Sequence, residues 1–198
     1  MKLNLKKIAS IQMGYSFRTR LDFMDQGKIS VVQMKDLNDE NRVDCKDLMR
    51  VGVNTVKKHH LVRPGDIVFR SRGQVTTAAI LVENPGPAVV SAPLLRIRVD
   101  QNVVLPDYLV WYINHPSSQA FLSSRAKGTS LKMISKQALE SLEVTVPPIK
   151  KQRAIAELAA LASEEQRLLK KIADRRNRYI FTKLMQLVVD DTLGHELI

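Results

Sequence analysis

Apolar and polar residues follow two different patterns along this 198-residue chain, and the change occurs at Pro147-Pro148. In the first part, short apolar runs alternate with turn-forming residues, which is typical of short strands and helices packed into one globular domain. Runs rich in β-branched residues predict strands at 29–34, 67–70, 78–82, 88–99 and 142–146. Apolar spacing predicts helices at 106–114, 117–126 and 135–141, and a short helix, or a helix leading into a strand, at 3–11.

From Pro148 onward the pattern is that of one long helix. Proline suits the first turn of a helix, and neither Gly nor Pro follows until Gly194. Apolar residues recur at steps typical of a coiled-coil seam, interrupted by Glu165; they are Ile155, Leu158, Ala162, Leu169 and Ile172. About forty helical residues span roughly 60 Å. The alternative is two shorter helices with a bend near Ser163 or Asn177, although neither position carries a strong turn signal.

Together these patterns predict an α+β fold in three parts. A mixed α/β domain occupies residues 1–147, a coiled-coil-like helix residues 148–189 and an acidic C-terminal tail residues 190–198. A domain of about 150 residues cannot cover so long a rod along its whole length. We therefore expect the five seam residues to contact another protein chain.

Charge narrows the class of partner. Lys and Arg total 31 against 20 Asp and Glu, which gives a formal net charge of +11 and a pI near 9.9. Such an excess favours polyanions, either nucleic acid or acidic lipid, although a merely soluble basic protein is the alternative. Cys45 is the only cysteine, which excludes an intrachain disulfide and a cysteine-based zinc site. The chain has no apolar run typical of a signal peptide or membrane span, so we expect a cytoplasmic protein without membrane contact.

Four loop-like segments carry side chains suited to DNA. Arg and Gln can pair with base edges, whereas Lys, hydroxyls and free backbone amides suit phosphates. The candidates are Tyr15, Ser16, Arg18 and Arg20 in the first segment, Gln33 and Lys35 in the second, Arg70, Arg72 and Gln74 in the third, and Lys127, Thr129, Ser130 and Lys132 in the fourth. The alternatives are a solvated loop anchored by its aromatics, exposed turns and an ordinary helix cap.

Residues of the common enzyme motifs are missing or isolated. There is neither a Walker A sequence nor a Rossmann glycine pattern. His59-His60 is an adjacent pair whose side chains we expect to diverge on the surface, and Asp66 follows a Pro-Gly turn, which favours a turn aspartate over a nuclease carboxylate. Pro147-Pro148 lacks the flanking residues of an amino-methyltransferase motif. We therefore predict no catalytic residue, no metal site and no cofactor.

Seven segments, taken in order, resemble type I restriction-modification specificity subunits; they are LKKIASIQMGYSF, ISVVQMKDL, LVRPGDIVFRSRG, VVSAPLLRIRV, LPDYLVWYIN, GTSLKMISKQALESLEVTVPP and KKQRAIAELAALASE. The resemblance covers nearly the whole chain. It is strongest at the GDI segment and in the block from the GTS loop to the Gln-Arg-x-x-Ile-Ala helix start. It implies a target recognition domain, a conserved spacer helix and a DNA-reading subunit that has no catalytic activity and places methyltransferase subunits, sometimes with a restriction subunit.

This chain departs from the usual form of that family. The family usually carries two recognition domains and two spacer helices, and this sequence has one of each, so it looks like a half-subunit. The resemblance therefore implies a homodimer through antiparallel helices and a bipartite, palindromic DNA target. Pro148 and Gln152 keep the family's Pro-x-x-x-Gln spacing, with Lys150-Lys151 in place of the commoner acidic neighbour. Two alternatives stay open: a regulatory or assembly protein that competes with a full-length specificity subunit for the methyltransferase, and a small DNA-acting enzyme with an unrecognised site.

Overall fold

The computed structural model describes residues 1–17, 27–52, 56–73, 75–128 and 132–194. The strands are β1 (Lys2–Asn4), β2 (Ala9–Met13), β3 (Ile29–Val32), β4 (Met49–Val51), β5 (Ile67–Arg70), β6 (Thr77–Ile80), β7 (Ala88–Val90), β8 (Leu94–Val99) and β9 (Glu143–Thr145). The α-helices are α1 (Pro106–Asn114), α2 (Pro116–Ser124), α3 (Lys136–Glu140) and α4 (Ile149–Gly194). Single 3-10 turns occupy Leu5–Lys7, Met34–Asp36 and Lys58–His60. The fold is therefore α+β, as predicted.

Three sheets organise the described residues before α4. A four-stranded antiparallel sheet has the order β2-β8-β5-β6, a three-stranded sheet the order β4-β3-β7, and β1 pairs with β9. Strand β3 lies antiparallel to β4 and parallel to β7. In the larger sheet Met13 pairs with Leu95 at one end and Ala9 with Val99 at the other, so the two ends of β8 define two opposite ends of the domain.

Alternation along the strands fills the core on both faces of the larger sheet. Ile67 and Phe69 of β5 are fully buried in the cluster that also contains residues of α1, α2 and α3. Val68, between them, belongs to a second cluster with Val32 and Val90 of the three-stranded sheet. Successive strand residues point to opposite faces, so the four-stranded sheet is the middle layer of the domain.

Most predicted elements are present, with physical reasons for the differences. Ser135 caps α3 by accepting a hydrogen bond from the backbone N–H of Ala138 at 3.1 Å, and α1 and α2 both begin at proline. The predicted strand at 88–99 is two strands, β7 and β8, in different sheets. Of the two predictions for 3–11, the single short helix is wrong and the helix leading into a strand is closer, because a 3-10 turn leads into β2. Strand β1 before that turn was not predicted, and it forms by pairing with β9.

Helix α4 is continuous from Ile149 to Gly194. The helix therefore has no break near Ser163 or Asn177, which removes the alternative of two shorter helices. The chain divides into two compact units, residues 1–156 and 157–198, and the first turns of α4 belong to the first unit. None of the helices in the described ranges is both long enough and apolar enough to cross a membrane.

Candidate nucleic-acid interface

The first and second candidate segments line one open pocket of about 660 Å³. The described part of the first segment is held by two backbone bonds, from Tyr15 N–H to Val90 C=O at 2.6 Å and from Ala92 N–H to Tyr15 C=O at 3.0 Å. Gly14 permits this close approach, because a Cβ there would lie 2.6 Å from the backbone of Ser91. The pocket is lined by Tyr15, Ser16, Phe17, Gln33, Met34, Lys35, Ser91, Ala92 and Pro93.

The third and fourth segments are joined by backbone pairing with Met133 and its neighbours. Lys127 and Met133 exchange backbone hydrogen bonds of 3.0 and 2.9 Å, and Gly73 N–H donates to Lys132 C=O at 3.2 Å. Arg72 also forms an isolated bridge with Met133. Segments more than 50 residues apart in sequence therefore lie side by side.

Two contacts connect the third segment to the pocket. Arg70 Nη2 donates to Met34 C=O at 2.8 Å, beside Lys35. Ser71 Oγ donates to the carbonyl of Pro93, which lines the pocket. All four candidate segments thus meet at the end of the domain where β8 begins and β5 ends.

Exposure separates the described candidates into two groups. Ser16, Lys35, Arg72, Lys127 and Lys132 are exposed, whereas Tyr15, Gln33 and Arg70 are half-buried. The half-buried side chains have less freedom to lose on contact with a ligand, while exposed cations suit phosphates. Five further candidates, Arg18, Arg20, Gln74, Thr129 and Ser130, lie outside the described residues.

A series of polar side chains behind the pocket supports the ring of Tyr15. Buried Arg96 donates through Nη2 to Gln12 Oε1 at 2.8 Å, and Gln12 Nε2 lies 3.1 Å from His60 Nδ1. The His60 ring packs edge-on against Tyr15 with centroids 5.3 Å apart. Burial lowers the pKa of His60, and nearby His59, Arg96 and Lys57 lower it further. Tyr15 therefore rests on a neutral imidazole.

The adjacent histidine rings do not diverge as expected. His59 and His60 lie on a 3-10 turn, and their ring centroids are 4.2 Å apart. Within the described ranges, no three His, Cys, Asp or Glu side chains are grouped as a possible metal site. The two histidine rings pack against each other, and the His60 ring also packs against Tyr15.

Gln33 and Lys35 are positioned by a buried carboxylate. Asp36 Oδ2 accepts a hydrogen bond from the Gln33 backbone N–H at 2.7 Å, which closes the 3-10 turn. Burial raises the pKa of Asp36, although the Gln33 N–H and the charge of Lys35 act in the opposite direction. The short turn directs both candidate residues to the pocket without placing an exposed acid there.

Asp66 supports the strand before the third segment. It is 1% exposed, accepts from the Arg63 backbone N–H at 2.9 Å and forms two 2.6 Å bonds with Arg98. This hydrogen bonding raises the pKa of Arg98. A carboxylate engaged in this way is the turn aspartate that the sequence indicates.

Gln152 fixes the start of α4 to the opposite end of the domain. Its side chain is fully buried; Oε1 accepts from Leu105 N–H at 2.8 Å, and Nε2 donates to Val103 C=O at 2.9 Å and Pro147 C=O at 2.8 Å. Val103 and Leu105 follow the far end of β8. The sequence marked this residue through its Pro-x-x-x-Gln spacing and as the first residue of the Gln-Arg-x-x-Ile-Ala helix start.

Ile155, the first residue of the predicted seam, does not lie on the exposed part of α4. Ile155 is half-buried and packs against the core of the first unit, because the first turns of the helix lie on that unit. Leu158, Ala162, Leu169 and Ile172 are exposed. The sequence analysis missed further exposed apolar side chains of α4; they are Leu161, Leu168, Tyr179, Ile180, Phe181, Leu184, Met185, Leu187 and Val188.

Comparison with known proteins agrees with this architecture. The family model of the type I restriction modification DNA specificity domain matches residues 1–174. A chain from a type I restriction-modification system, solved to describe complex assembly and conformational transition, is similar with a TM-score of 0.68 and 16% identity, covering 86% of this chain and 40% of that one.

Two further solved structures share the fold. The HsdS subunit from Thermoanaerobacter tengcongensis has a TM-score of 0.59 and 18% identity, covering 84% of this chain and 37% of its own. The type I restriction-modification S subunit from M. genitalium has a TM-score of 0.57 and 14% identity, with coverage of 83% and 39%. No curated protein matches the sequence. The chain thus spans about two fifths of the length of these solved chains.

Proposed function

Because this chain belongs to the type I restriction-modification DNA specificity family, we propose that it is a non-catalytic DNA-recognition subunit. It binds double-stranded DNA through the four gathered segments and directs methyltransferase subunits, and in some assemblies a restriction subunit, to a bipartite target. Such a role places it in the cytoplasm with the chromosome. It acts as a homodimer of half-subunits joined through α4, and it needs no cofactor of its own.

The observation that carries the proposal is the convergence of the four segments. Lys35, Arg70, Arg72, Lys127 and Lys132 supply five cations at one end of the domain, and the described residues of these segments include no acidic side chain. A cluster of cations beside half-buried Tyr15 and Gln33 combines groups that bind phosphates with groups that can read base edges. A merely soluble basic protein has no need to bring these segments together.

The two ends of the domain have different proposed roles. DNA contacts lie where β8 begins, and α4 starts at the end where β8 finishes, held by Gln152. The attachment of α4 and the proposed DNA contacts therefore use opposite ends of the first unit. This separation supports a subunit that binds DNA and protein at the same time.

Equilibrium DNA binding tests the proposal. A pool of random duplexes should yield a bipartite palindrome, and the logarithm of affinity should fall linearly with the logarithm of salt concentration. Arg72→Ala should weaken binding to the selected duplex by about 1–3 kcal/mol if Arg72 reads a base. If it binds a phosphate instead, affinity should fall equally for all sequences and the salt slope by about one.

Lys7→Ala is the matched control. Lys7 is an exposed cation in the 3-10 turn at the opposite end of β8, so this change removes one positive charge away from the proposed interface. If both variants lose the same amount of DNA affinity, the loss comes from the change in net charge and not from a contact of Arg72. DNA cleavage or methyl transfer by the purified chain alone would favour the enzyme alternative, and methyltransferase binding without DNA binding would favour the regulatory one.

A further inference from the structure

The exposed face of α4 carries a regular heptad pattern with two charged interruptions. Residues at alternating steps of three and four lie along one stripe, and all are exposed; they are Leu158, Leu161, Glu165, Leu168, Ile172, Arg175 and Tyr179. Five are apolar and two carry opposite charges. An exposed stripe with this spacing is typical of the contact face of a two-helix coiled coil.

We propose that α4 pairs with α4 of a second copy in one antiparallel register, in which Glu165 of each chain faces Arg175 of the other. The inference rests on the proposed homodimer and adds its alignment. Opposed residue numbers then add up to about 340, which centres the twofold axis near residue 170. Leu161 faces Tyr179, and Leu168 faces Ile172.

Charge excludes the parallel arrangement. In a parallel, in-register pair each residue meets its own copy, so Glu165 would meet Glu165 and Arg175 would meet Arg175 across the seam. Like charges opposed at a partly buried interface are repulsive. The antiparallel pair instead forms two Glu–Arg contacts related by the twofold axis.

Charge also selects the register. A slip of one heptad in one direction places Glu165 against Leu168 and Arg175 against Leu158. A slip in the other direction places Arg175 against Ile172 and leaves Glu165 against Thr182. Each slip opposes a charge to an apolar side chain, and a single polar layer is a well-attested means of fixing coiled-coil register.

Reciprocal charge reversal tests this alignment in the full chain. Glu165→Arg alone and Arg175→Glu alone should each raise the dimer dissociation constant at least about tenfold, because each produces two like-charge contacts. The double variant should return it to within about threefold of wild type. Sedimentation equilibrium measures all four proteins. A double variant as weak as either single, or two singles without effect, would overturn the register.

Crosslinking provides a second readout of the same alignment. In a Cys45→Ser background, Leu161→Cys combined with Tyr179→Cys should give a covalent dimer with a short bismaleimide, whereas either cysteine alone should give little. Efficient crosslinking of either single-cysteine variant, together with little crosslinking of the double variant, would contradict the register. Measuring DNA affinity for the same variants separates failure of the register from failure of the proposed DNA recognition. A chain that binds DNA but pairs in another register, or does not pair, would refute only the register.

Discussion

Among individual residues, His60 has the most constrained role beside the proposed interface. Gln12 Oε1 accepts from Arg96, so the Gln12 amide N–H is turned toward His60 Nδ1, 3.1 Å away. Nδ1 must then accept that hydrogen bond, which places the imidazole proton on Nε2. A second proton would remove the bond and add charge beside Arg96 and Lys57.

The lowered pKa of His60 predicts a pH dependence of stability. Because the pKa in the folded chain lies below the ordinary value of 6.5, His60 contributes stability that is present above pH 6.5 and lost as pH falls through the lower folded pKa. Chemical denaturation should therefore show the free energy of unfolding decreasing on acidification from neutrality, and His60→Gln should remove part of that decrease.

Two features keep the His60 test specific. The difference between wild type and variant cancels the effect of Asp36, whose raised pKa acts with the opposite sign at lower pH. His115→Asn is the control, because His115 caps α2 through the Ser117 N–H and asparagine is a good N-cap. An identical pH profile in wild type and His60→Gln would contradict the assigned protonation state.

For whole elements, Gln152 shows how α4 is attached to its domain. Its side chain satisfies one buried N–H and two carbonyls. Gln152→Ala should lower the free energy of unfolding by about 3 kcal/mol, because leaving buried polar groups unpaired costs about 1–3 kcal/mol each. Denaturation of the variant beside Arg153→Ala, an exposed neighbour, measures this. Equal stability of the two variants would rule out the anchoring role.

Elements whose ends carry strong local signals were predictable from sequence. Proline begins α1, Ser135 caps α3, and an uninterrupted run without Gly or Pro predicts α4. Strand β4 (Met49–Val51) was missed, because its three residues carry no clear alternation and it exists through pairing with β3. Long-range pairing also decides that β7 and β8 belong to different sheets.

In the candidate site, too, local sequence identified the segments but not the long-range contacts that bring them together. Composition alone identified segments rich in Arg, Lys, Gln and hydroxyls. Their proximity depends on the Lys127–Met133 and Gly73–Lys132 backbone bonds and on the Arg70–Met34 bond, which join positions far apart in sequence. Local sequence patterns do not predict such contacts. For this reason the sequence did not identify Ala92 and Pro93 as residues that line the pocket.

At the scale of the whole molecule, α4 would set the distance between the two DNA-binding domains of the proposed homodimer. An antiparallel pair centred near residue 170 separates the two copies of Ala156 by about 42 Å along the helices, at about 1.5 Å per residue. In that proposed dimer each domain would contribute one half-site, and binding at one half-site would raise the effective concentration for the other.

Leu169→Asp tests that reinforcement. Leu169 is 59% exposed, so the change should leave the domain's fold intact. It places a charge on the flank of the proposed stripe, one residue after Leu168 and close to its own copy across the axis. Light scattering should show monomers, and affinity for the full palindrome should fall toward the affinity for a single half-site, at least about tenfold. Ser163→Asp adds a negative charge on the opposite side of α4 and should change neither result. Two opposed carboxylates at an apolar contact weaken association, because burying them is costly. A Leu169→Asp protein that stays a tight dimer would therefore show that α4 pairs through a different face.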